Sequence, residues 1–539
     1  RTGVHGDFIL GGQWFPKIGV FEDVGDRGRT EPGWNVHQFH ANSEFFADFG
    51  DWDVSLELPA EYAGRIGATG QLLEEKVEDD TVSVRFTQPG VHDFAWTADP
   101  NFIVLEDRFD PDTDVPAEQL EQIAANLGVD PSELQLQPVD LRLMLQPAHR
   151  SQADRYFESV KAAIRGYGLR LGAYPWATMT MVDPPRGGMG AGGMEYPTFI
   201  TLGTHPLLGL PGFTDVRAAE SVTIHEFGHN FVQGMIASNE FEEAWLDEGI
   251  NSYYDSVVMD EHYGTAIELF GLRAEPHDMN RLQLGAGRYT DSIVQPSWSY
   301  YSNSSYGLNS YARPAATLHH MRNLLGGQVF DRAMRRFFQT WRFRHPSTAD
   351  FKEIILDEAG ADITWFLEQA FHTDRTLDYR IRRARSRETK DPQGWFWEED
   401  GQKTLFGVAD RHPMEDGEEA TAEDAGNEDQ EDEDEFYRSE VVVERRGEFV
   451  HPVTVELVFE DGERLRHEWD GDSRWIKYVE IRPSKLSSAE VDPDHIMTLD
   501  VNPLNNSIRL ECDSTPAVKM LAHIVFWLQN FFELTAVVG

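Results

Sequence analysis

The segment His225-Glu226-Phe227-Gly228-His229, an H-E-x-x-H pattern, constrains this chain more than any other feature. In a helix, two histidines four residues apart lie on one face, where two imidazoles can bind the same tetrahedral metal ion. No proline interrupts residues 216 to 263, which favours helix throughout this region. Glu226 then lies beside the metal-binding face, within reach of a metal-bound water but poorly oriented to be a ligand. The alternative interpretation is a pair of packed core histidines.

A metal site with an open position for water needs a third protein ligand. Glu248, in the segment W-L-D-E-G, follows His229 after eighteen intervening residues, enough to finish one helix and return on a second. We therefore predict that His225, His229 and Glu248 bind one metal ion together.

Two further segments carry candidate site residues. In Gly192-Gly193-Met194-Glu195, glycine would let the backbone approach a ligand closely and Glu195 would offer a carboxylate. The alternative is an ordinary entry into a strand. Tyr306 and Tyr311 precede a predicted helix that begins at Arg313, where they would either project into a cleft or pack as ordinary core tyrosines.

The net charge of −46 argues against nucleic acid as a partner, because a phosphate backbone would be repelled. An acidic surface with little lysine suits a saline habitat, where salt screens self-repulsion; the alternative is an acidic protein with one very acidic insertion. Cys512 is the one cysteine, so no intrachain disulfide can form. Because the chain begins with Arg1, we expect a processed chain or a fragment, and we favour the cell envelope or export over the cytoplasm.

Hydrophobic patterning predicts a multidomain α+β fold. Residues 53–58 and 82–86 alternate with period two, which indicates that residues 1–138 form an N-terminal β-rich domain. Residues 139–385 mix helices and strands and form the predicted catalytic domain. Residues 386–510 return to β patterns typical of a small sandwich, with a solvated acidic insertion at 415–435.

Residues 511–539 are predicted to end the chain in an apolar helix. Polar residues, including Gln529 and Glu533, interrupt its apolar run. Their burial in a bilayer would be costly, which favours a helix that docks on the protein or lies on a membrane surface over a spanning anchor.

The chain resembles the aminopeptidase N family of gluzincin zinc peptidases, which also includes leukotriene hydrolases. The resemblance rests on the H-E-x-x-H pattern with its glutamate after eighteen intervening residues, the W-L-x-E-G segment and the upstream G-x-M-E segment. It extends from the first residues to about residue 380 and, more weakly, through the following β segment. It implies a saddle-like N-terminal β domain, which we expect to be incomplete in residues 1–138, and a thermolysin-like mixed α/β catalytic domain that binds one zinc ion.

The resemblance also implies roles for single residues. His225, His229 and Glu248 would bind zinc, Glu226 would be the general base, and Asp255 would occupy an acidic position behind the ligands. Further roles fall on residues of the two other segments: Glu195 would hold the free α-amine of a peptide with Gly193 and Met194 beside it, Tyr311 would stabilise the oxyanion, and Tyr306 lies where a second tyrosine is seen.

The chain departs from the family pattern at three positions. Tyr196 and Asp247 stand where the family usually has asparagine, and Arg313 replaces the lysine after the catalytic tyrosine. Tyr196 bears on how the amine and the first side chain are held. A further amine-binding group would come from the β domain, where Asp93 and Asp99 are candidates.

The predicted function is zinc-dependent hydrolysis of the N-terminal peptide bond of peptides with a free N-terminus, by a zinc-bound water that Glu226 assists. Two alternatives remain open. One is a zinc endopeptidase or another zinc hydrolase at the same site. The other is a catalytically silent homologue that binds peptides.

Overall fold

The structure is a computed structural model that describes residues 2–42, 45–203, 216–269, 272–389, 394–397, 403–406, 435–511 and 514–538. The chain forms two compact units, residues 1–374 together with 523–539, and residues 375–522. The predicted multidomain α+β class is confirmed, with N-terminal sheets, a helical region that carries the predicted site, and C-terminal sheets. The boundaries at residues 138, 385 and 510 stay predictions, and residues 415–434 of the acidic insertion lie outside the described residues.

The first 110 residues form short strands and antiparallel sheets. The order β5-β8-β7 makes one sheet, in which Val82, Val84 and Phe86 are buried at alternate positions because successive side chains of a strand point to opposite faces. The strands of this region are β1 (Gly3–His5), β2 (Phe8–Gly11), β3 (Val20–Glu22), β4 (Gly33–Asn35), β5 (Gly50–Pro59), β6 (Ile66–Ala68), β7 (Gln71–Glu78), β8 (Thr81–Val91), β9 (Trp96–Ala98) and β10 (Ile103–Phe109).

A mixed sheet of order β10-β11-β12-β13 follows, with β11 (Val139–Leu145), β12 (Thr178–Val182) and β13 (Phe199–Thr201). β10 pairs antiparallel with β11, whereas β11, β12 and β13 are parallel. The helices before β12 are α1 (Pro111–Asp114), α2 (Ala117–Leu127) and α3 (Ala153–Leu171). Parallel neighbours need a crossover, and α3 supplies it between β11 and β12.

Helices dominate the region from residue 218 to residue 372. They are α4 (Ala218–Val232), α5 (Glu240–Glu243), α6 (Trp245–His262), α7 (Pro276–Ala286), α8 (Asn303–Gly307), α9 (Arg313–Leu325), α10 (Gly327–Trp341), α11 (Thr348–Ala359) and α12 (Thr364–His372), with the strand pair β14 (Ile267–Leu269) and β15 (Leu272–Ala274) after α6. α4 packs between α3 and α6. A β-carbon on Gly228 would lie far inside van der Waals contact of Tyr167 on α3 and Asn251 on α6. The absence of a side chain at Gly228 therefore sets how closely the three helices approach.

The second unit is built of antiparallel strands. Its two main sheets have the orders β16-β19-β22 and β21-β20-β23-β24, and β16 contacts β23. The strands are β16 (Tyr379–Thr389), β17 (Gly394–Trp397), β18 (Lys403–Phe406), β19 (Phe436–Arg445), β20 (Val453–Phe459), β21 (Arg464–Trp469), β22 (Trp475–Arg482), β23 (Leu486–Val491) and β24 (Ser507–Arg509).

The predicted C-terminal helix is present as α13 (Thr515–Val538). Over the described ranges, no helix combines the length and the apolar character that crossing a bilayer requires. The contact of α13 with a membrane surface stays a prediction.

Candidate active site

The two histidines of the H-E-x-x-H segment lie one turn apart on α4, as their spacing predicts. Their Nε2 atoms are 3.1 Å apart. Each Nε2 atom lies 3.3 Å from Oε2 of Glu248, which the first turn of α6 carries. The three predicted ligands are therefore brought together.

The three donor atoms form a nearly equilateral triangle. A tetrahedral zinc site with ligand distances of about 2.1 Å has edges of about 3.4 Å between ligands, close to the edges of this triangle. Two imidazole nitrogens and one carboxylate oxygen are also donors that zinc prefers. The residues present thus fit a zinc ion, which His225, His229 and Glu248 would hold together.

Two further carboxylates of α6 orient the imidazoles. Nδ1 of His225 donates to Oδ2 of Asp255 at 2.9 Å, and Nδ1 of His229 donates to Oδ1 of Asp247. Such contacts fix the ring orientation and leave Nε2 free to bind metal. Asp255 lies where the resemblance implies. The contact of Asp247 is not predicted from the sequence, although its position next to Glu248 is a signal that could have found it.

The carboxylates surround the imidazoles with negative charge. Burial of the His225 ring would lower its pKa, but the hydrogen bonds with Asp255 and Glu248 outweigh burial and raise the pKa to about 10. The same balance, with Asp247 and Glu248 as the acids, raises the pKa of His229. This setting favours a cation among the three donor atoms.

The G-x-M-E segment approaches α4, the helix that carries the predicted histidine ligands, through Gly193. Its φ is +64°, which favours glycine, and a β-carbon added there would lie 3.5 Å from Oε1 of Glu226. Donor atoms of Glu195, Glu226 and His229 lie within 4.8 Å of one another. The backbone at Gly193 therefore lies close to the Glu226 carboxylate, and its approach to a ligand stays a prediction.

Met194 and Tyr196 point away from this meeting point. Both side chains are buried in an apolar cluster that includes Phe45 and Phe199. The substitution of asparagine by Tyr196 thus fills the core in the structure, and the role of Met194 in substrate binding stays a prediction.

Glu195, Tyr306 and Tyr311 line one small cavity together with the three predicted ligands and Glu226. Its volume is about 140 Å³, and it is lined by Ala41, Asn42, Gly193, Glu195, His225, Glu226, His229, Glu248, Tyr306 and Tyr311. Burial raises the pKa of Glu195 well above its usual range, and the charge of Glu226 raises it further. An ammonium group placed in the cavity would favour the ionised form of Glu195.

Asn42 lines this cavity although no motif in the sequence marks it. The candidates from the β domain are engaged elsewhere: Asp93 accepts from Lys17 at 2.7 Å, and Asp99 accepts from Gln146 at 3.0 Å. Neither is among the described residues that line the cavity.

Tyr311 is placed by a π-helical turn, Leu308–Ala312, between α8 and α9. Its hydroxyl donates to Oε1 of Glu248, and its ring stacks on His225 with centroids 5.9 Å apart. Tyr306 meets the Tyr311 ring edge-on at 6.4 Å. Burial and the nearby Glu248 carboxylate raise the pKa of Tyr311, so its phenol remains a donor.

Arg313, the residue that replaces lysine, anchors the segment that carries Tyr311. Its buried guanidinium donates to the carbonyl oxygens of Asp291 and Thr373 and to Oδ1 of Asn309, at 2.8–3.0 Å. The departure at this position therefore has a structural role in the chain.

Residues 157–370 match the model of the Peptidase family M1 domain. This range contains every predicted ligand, Glu226, Glu195 and both tyrosines. The predicted family resemblance is confirmed over these residues.

Two curated relatives match parts of the chain. Leucine aminopeptidase 2 of Aspergillus niger is 23% identical over 32% of this chain and 27% of its own length. A leukotriene A-4 hydrolase homolog of Botryotinia fuckeliana is 25% identical over 35% of this chain and 28% of its own length. The matched region thus spans about a quarter of the length of these relatives.

A solved structure, Legionella pneumophila aminopeptidase A in complex with aspartic acid, resembles the chain in fold. The TM-score is 0.54 at 13% sequence identity, and the match covers 84% of this chain and 44% of that one.

Proposed function

We propose, from the peptidase family M1 domain that this chain carries at residues 157–370, that the protein is a zinc-dependent aminopeptidase. Its reaction is hydrolysis of the first peptide bond of peptides with a free N-terminus. The observation that carries the proposal is the donor triangle of His225, His229 and Glu248 beside a small cavity that ends at the buried carboxylate of Glu195.

The proposed metal is one zinc ion on the three donor atoms. A zinc ion there supplies a Lewis acid that polarises the scissile carbonyl and acidifies the attacking water. Asp255 and Asp247 keep the two imidazoles in the orientation that presents both Nε2 atoms to the same point.

Glu226 is the proposed general base. Its side chain is 7% exposed and lies between the ligand helix and Gly193. A carboxylate in this position accepts a proton from the attacking water and passes it to the nitrogen of the leaving amine. Glutamine at the same position keeps the shape but cannot accept the proton.

Tyr311 is the proposed donor to the oxygen that becomes negative during attack. Its hydroxyl now donates to Glu248 at the edge of the donor triangle, so a carbonyl oxygen seated there would compete for the same proton. A donor of this kind is typically worth about a hundredfold in rate or more.

Glu195 is the proposed acceptor for the substrate ammonium. Glu195 is 7% exposed, and the cavity that it lines among the described residues is about 140 Å³, which suits one residue with a free amine better than the several residues that precede the cleaved bond in an endopeptidase substrate. This observation favours an aminopeptidase over an endopeptidase. An acetylated amine would lose the charged contact and leave Glu195 buried without a counter-charge.

The test compares a free and an N-acetylated chromogenic amide of one amino acid. We expect turnover of the free compound only, with one zinc ion bound per chain. Glu226→Gln should retain zinc and lose at least about a hundredfold in kcat. Glu57→Gln, an exposed change on β5, is the control and should behave as wild type.

The alternatives have distinct outcomes. Turnover of both amides would support an endopeptidase or another hydrolase at the same site. Turnover of neither by the zinc-loaded protein would support a peptide-binding homologue. An active Glu226→Gln variant would overturn the role of Glu226.

A further inference from the structure

Two acidic side chains from distant parts of the second unit lie close together. Asp378 directly precedes β16, and Asp500 belongs to the segment between β23 and β24. The backbones of the two segments are joined, because Leu377 and Asp500 form an isolated bridge and the N–H of Val501 donates to the carbonyl oxygen of Leu377 at 3.0 Å. The fold thus brings two carboxylates to one place.

Asp500 is a buried acid whose hydrogen-bond donors are all neutral. It is 1% exposed. Its Oδ1 accepts from the N–H of Asn502 at 2.8 Å, and its Oδ2 accepts from the N–H of Tyr379 at 3.3 Å and from Nδ2 of Asn506 at 3.2 Å. Burial raises the pKa of Asp500 to about 7 against the effect of these bonds, and the charge of Asp378 also raises it. The ionised carboxylate therefore has no counter-charge in contact with it among the described residues.

Asp378 adds a second carboxylate that is only partly compensated. It is 9% exposed, and its Oδ1 accepts from Nδ2 of Asn505 at 3.0 Å. Its Oδ2 lies 3.5 Å from Nη1 of Arg446, whose side chain is 50% exposed, so water screens this ion pair. The two acids together therefore carry more negative charge than the described groups around them balance.

Two neighbouring amides, those of Asn505 and Asn506, present buried oxygens at the same place. Each amide donates through Nδ2 to one of the two carboxylates, and this fixes its orientation because a carboxylate only accepts hydrogen bonds. Oδ1 of both amides is buried and has no hydrogen-bond partner among the described residues, and Asn506 as a whole is 8% exposed. Such oxygens are candidates to bind an ion or a water molecule.

A cation suits this cluster better than a water molecule does. A water molecule could donate to the two amide oxygens, but it would leave the charge of Asp378 and Asp500 unbalanced, whereas a cation is attracted by the amide oxygens and by both acids. A carboxylate has about four acceptor sites, and the hydrogen bonds above do not use all of them at either acid. Both acids can therefore still bind an ion.

We propose that a calcium ion binds in the second unit to the side-chain oxygens of Asp378, Asp500, Asn505 and Asn506. Carboxylate and amide oxygens are ligands that calcium accepts, and backbone carbonyls or waters complete its about six to eight ligands. Magnesium gives up its waters reluctantly, and zinc prefers nitrogen and sulfur, so neither suits these donors as well. The ion would fix the start of β16 to the segment that leads into β24.

Calcium binding to the full-length protein tests this site. The protein is dialysed against a calcium chelator, reloaded with zinc and titrated with CaCl2 by isothermal titration calorimetry, which should show one calcium site that is tighter than binding to surface acids. Millimolar CaCl2 should raise the melting temperature by at least about 3 °C, because an ion that binds only the folded chain stabilises it. The same concentration of MgCl2 should raise it less. Equal shifts would mean that screening alone acts and would overturn the proposal.

Three variants make the assignment local. Asp378→Asn removes one charge, and Asn505→Ala removes one amide oxygen, so each should lower calcium affinity at least about tenfold, since affinity follows the number and charge of the oxygen ligands. Asp494→Asn is the matched control in the same segment. It removes an acid whose side chain is 46% exposed and pairs with Arg466 at 2.9 Å, and it should keep the wild-type affinity.

The outcomes separate this site from calcium bound elsewhere on an acidic chain. Asn505 is half-buried, so Asn505→Ala decides the question even if Asp378→Asn does not fold. Wild-type calcium affinity in either folded variant, or an equal loss in Asp494→Asn, would place the ion among other acids and overturn the proposal. So would the absence of a tight calcium site in the wild type. No readout depends on catalysis, so the result is independent of the proposed aminopeptidase function.

Discussion

Asp247 is a side chain placed to affect how strongly the proposed metal site binds its ion. It is fully buried beside Glu248 and accepts a hydrogen bond from Nδ1 of His229. Its other oxygen, Oδ2, has no hydrogen-bond donor among the described residues. The charge of Asp247 is therefore balanced chiefly through the imidazole and, with the proposed zinc ion bound, through that cation.

Asp247→Asn tests this role. Asparagine can still accept from His229 but carries no charge, so we expect zinc to bind about tenfold more weakly or worse. Competition with a chromophoric chelator measures the change. Asp260→Asn, on the same helix, removes a carboxylate that pairs with His277 instead and serves as the control. Equal zinc affinity in wild type and Asp247→Asn would show that the charge contributes nothing.

Among the elements, α4 packs closely against its neighbours at a single glycine, Gly228. Gly228 lies between the two histidine ligands and faces Tyr167 and Asn251, whose side chains hydrogen-bond to each other at 2.6 Å. Nδ2 of Asn251 also donates to the carbonyl of His225 at 2.7 Å. The contact of Gly228 with Asn251 therefore affects both the packing of α3, α4 and α6 and the position of His225.

Gly228→Ala should separate these helices. The added methyl group has no space, so we expect the free energy of unfolding to fall by about 1–3 kcal/mol and zinc affinity to fall with it. Chemical denaturation of the zinc-free and zinc-loaded protein measures both. Gly307→Ala, at a helical glycine with open space around it, should be neutral or slightly stabilising. Equal destabilisation of both variants would contradict the packing argument.

Helices and strands with a clear hydrophobic periodicity could be predicted from the sequence, and so could the candidate metal ligands that the helices carry. The positions of α4 and α6 follow from uninterrupted helical segments, and His225, His229 and Glu248 meet because their spacing allows it. The π-helical turn at Tyr311 could not be predicted, since such a turn depends on tertiary contacts, here those of Arg313 with distant carbonyl oxygens.

Residues that reach the site from distant parts of the chain were also beyond prediction. Asn42 precedes Glu195 by about 150 residues and belongs to no motif, so only the fold reveals that it lines the cavity. Met194 adjoins Glu195 in sequence, yet its side chain turns into the core because neighbours in an extended segment point to opposite sides.

At the scale of the whole molecule, the net charge of −46 makes the acidic side chains repel one another. Residues 415–435 hold 13 of the 93 acidic residues and no basic one, so most of the excess charge lies elsewhere in the chain. Repulsion of this kind opposes compact states and weakens as salt shortens its range.

We expect the melting temperature to rise steeply between 0.01 and 0.1 M NaCl, where the screening length falls from about 30 to about 10 Å. KCl at the same ionic strength should give the same rise, because screening does not depend on the identity of the cation. A melting temperature that stays constant below 0.1 M and rises only at molar salt would show that ion-specific effects, rather than repulsion, govern stability.

His225, Glu226 and Tyr311 lie between two cavities of different polarity, a small polar one and a larger apolar one, so the site has a polar end and an apolar end. On the proposed function, an inhibitor would have its parts in a fixed order: a cationic group against Glu195, a chelating group at the donor triangle and an apolar group over α4. The reverse order would place the cationic group beside Met259 and Met279 and the apolar group beside Glu195 and Glu248. Inhibitor design for this protein can therefore begin from the order of polar and apolar groups along the site, before any single contact is optimised.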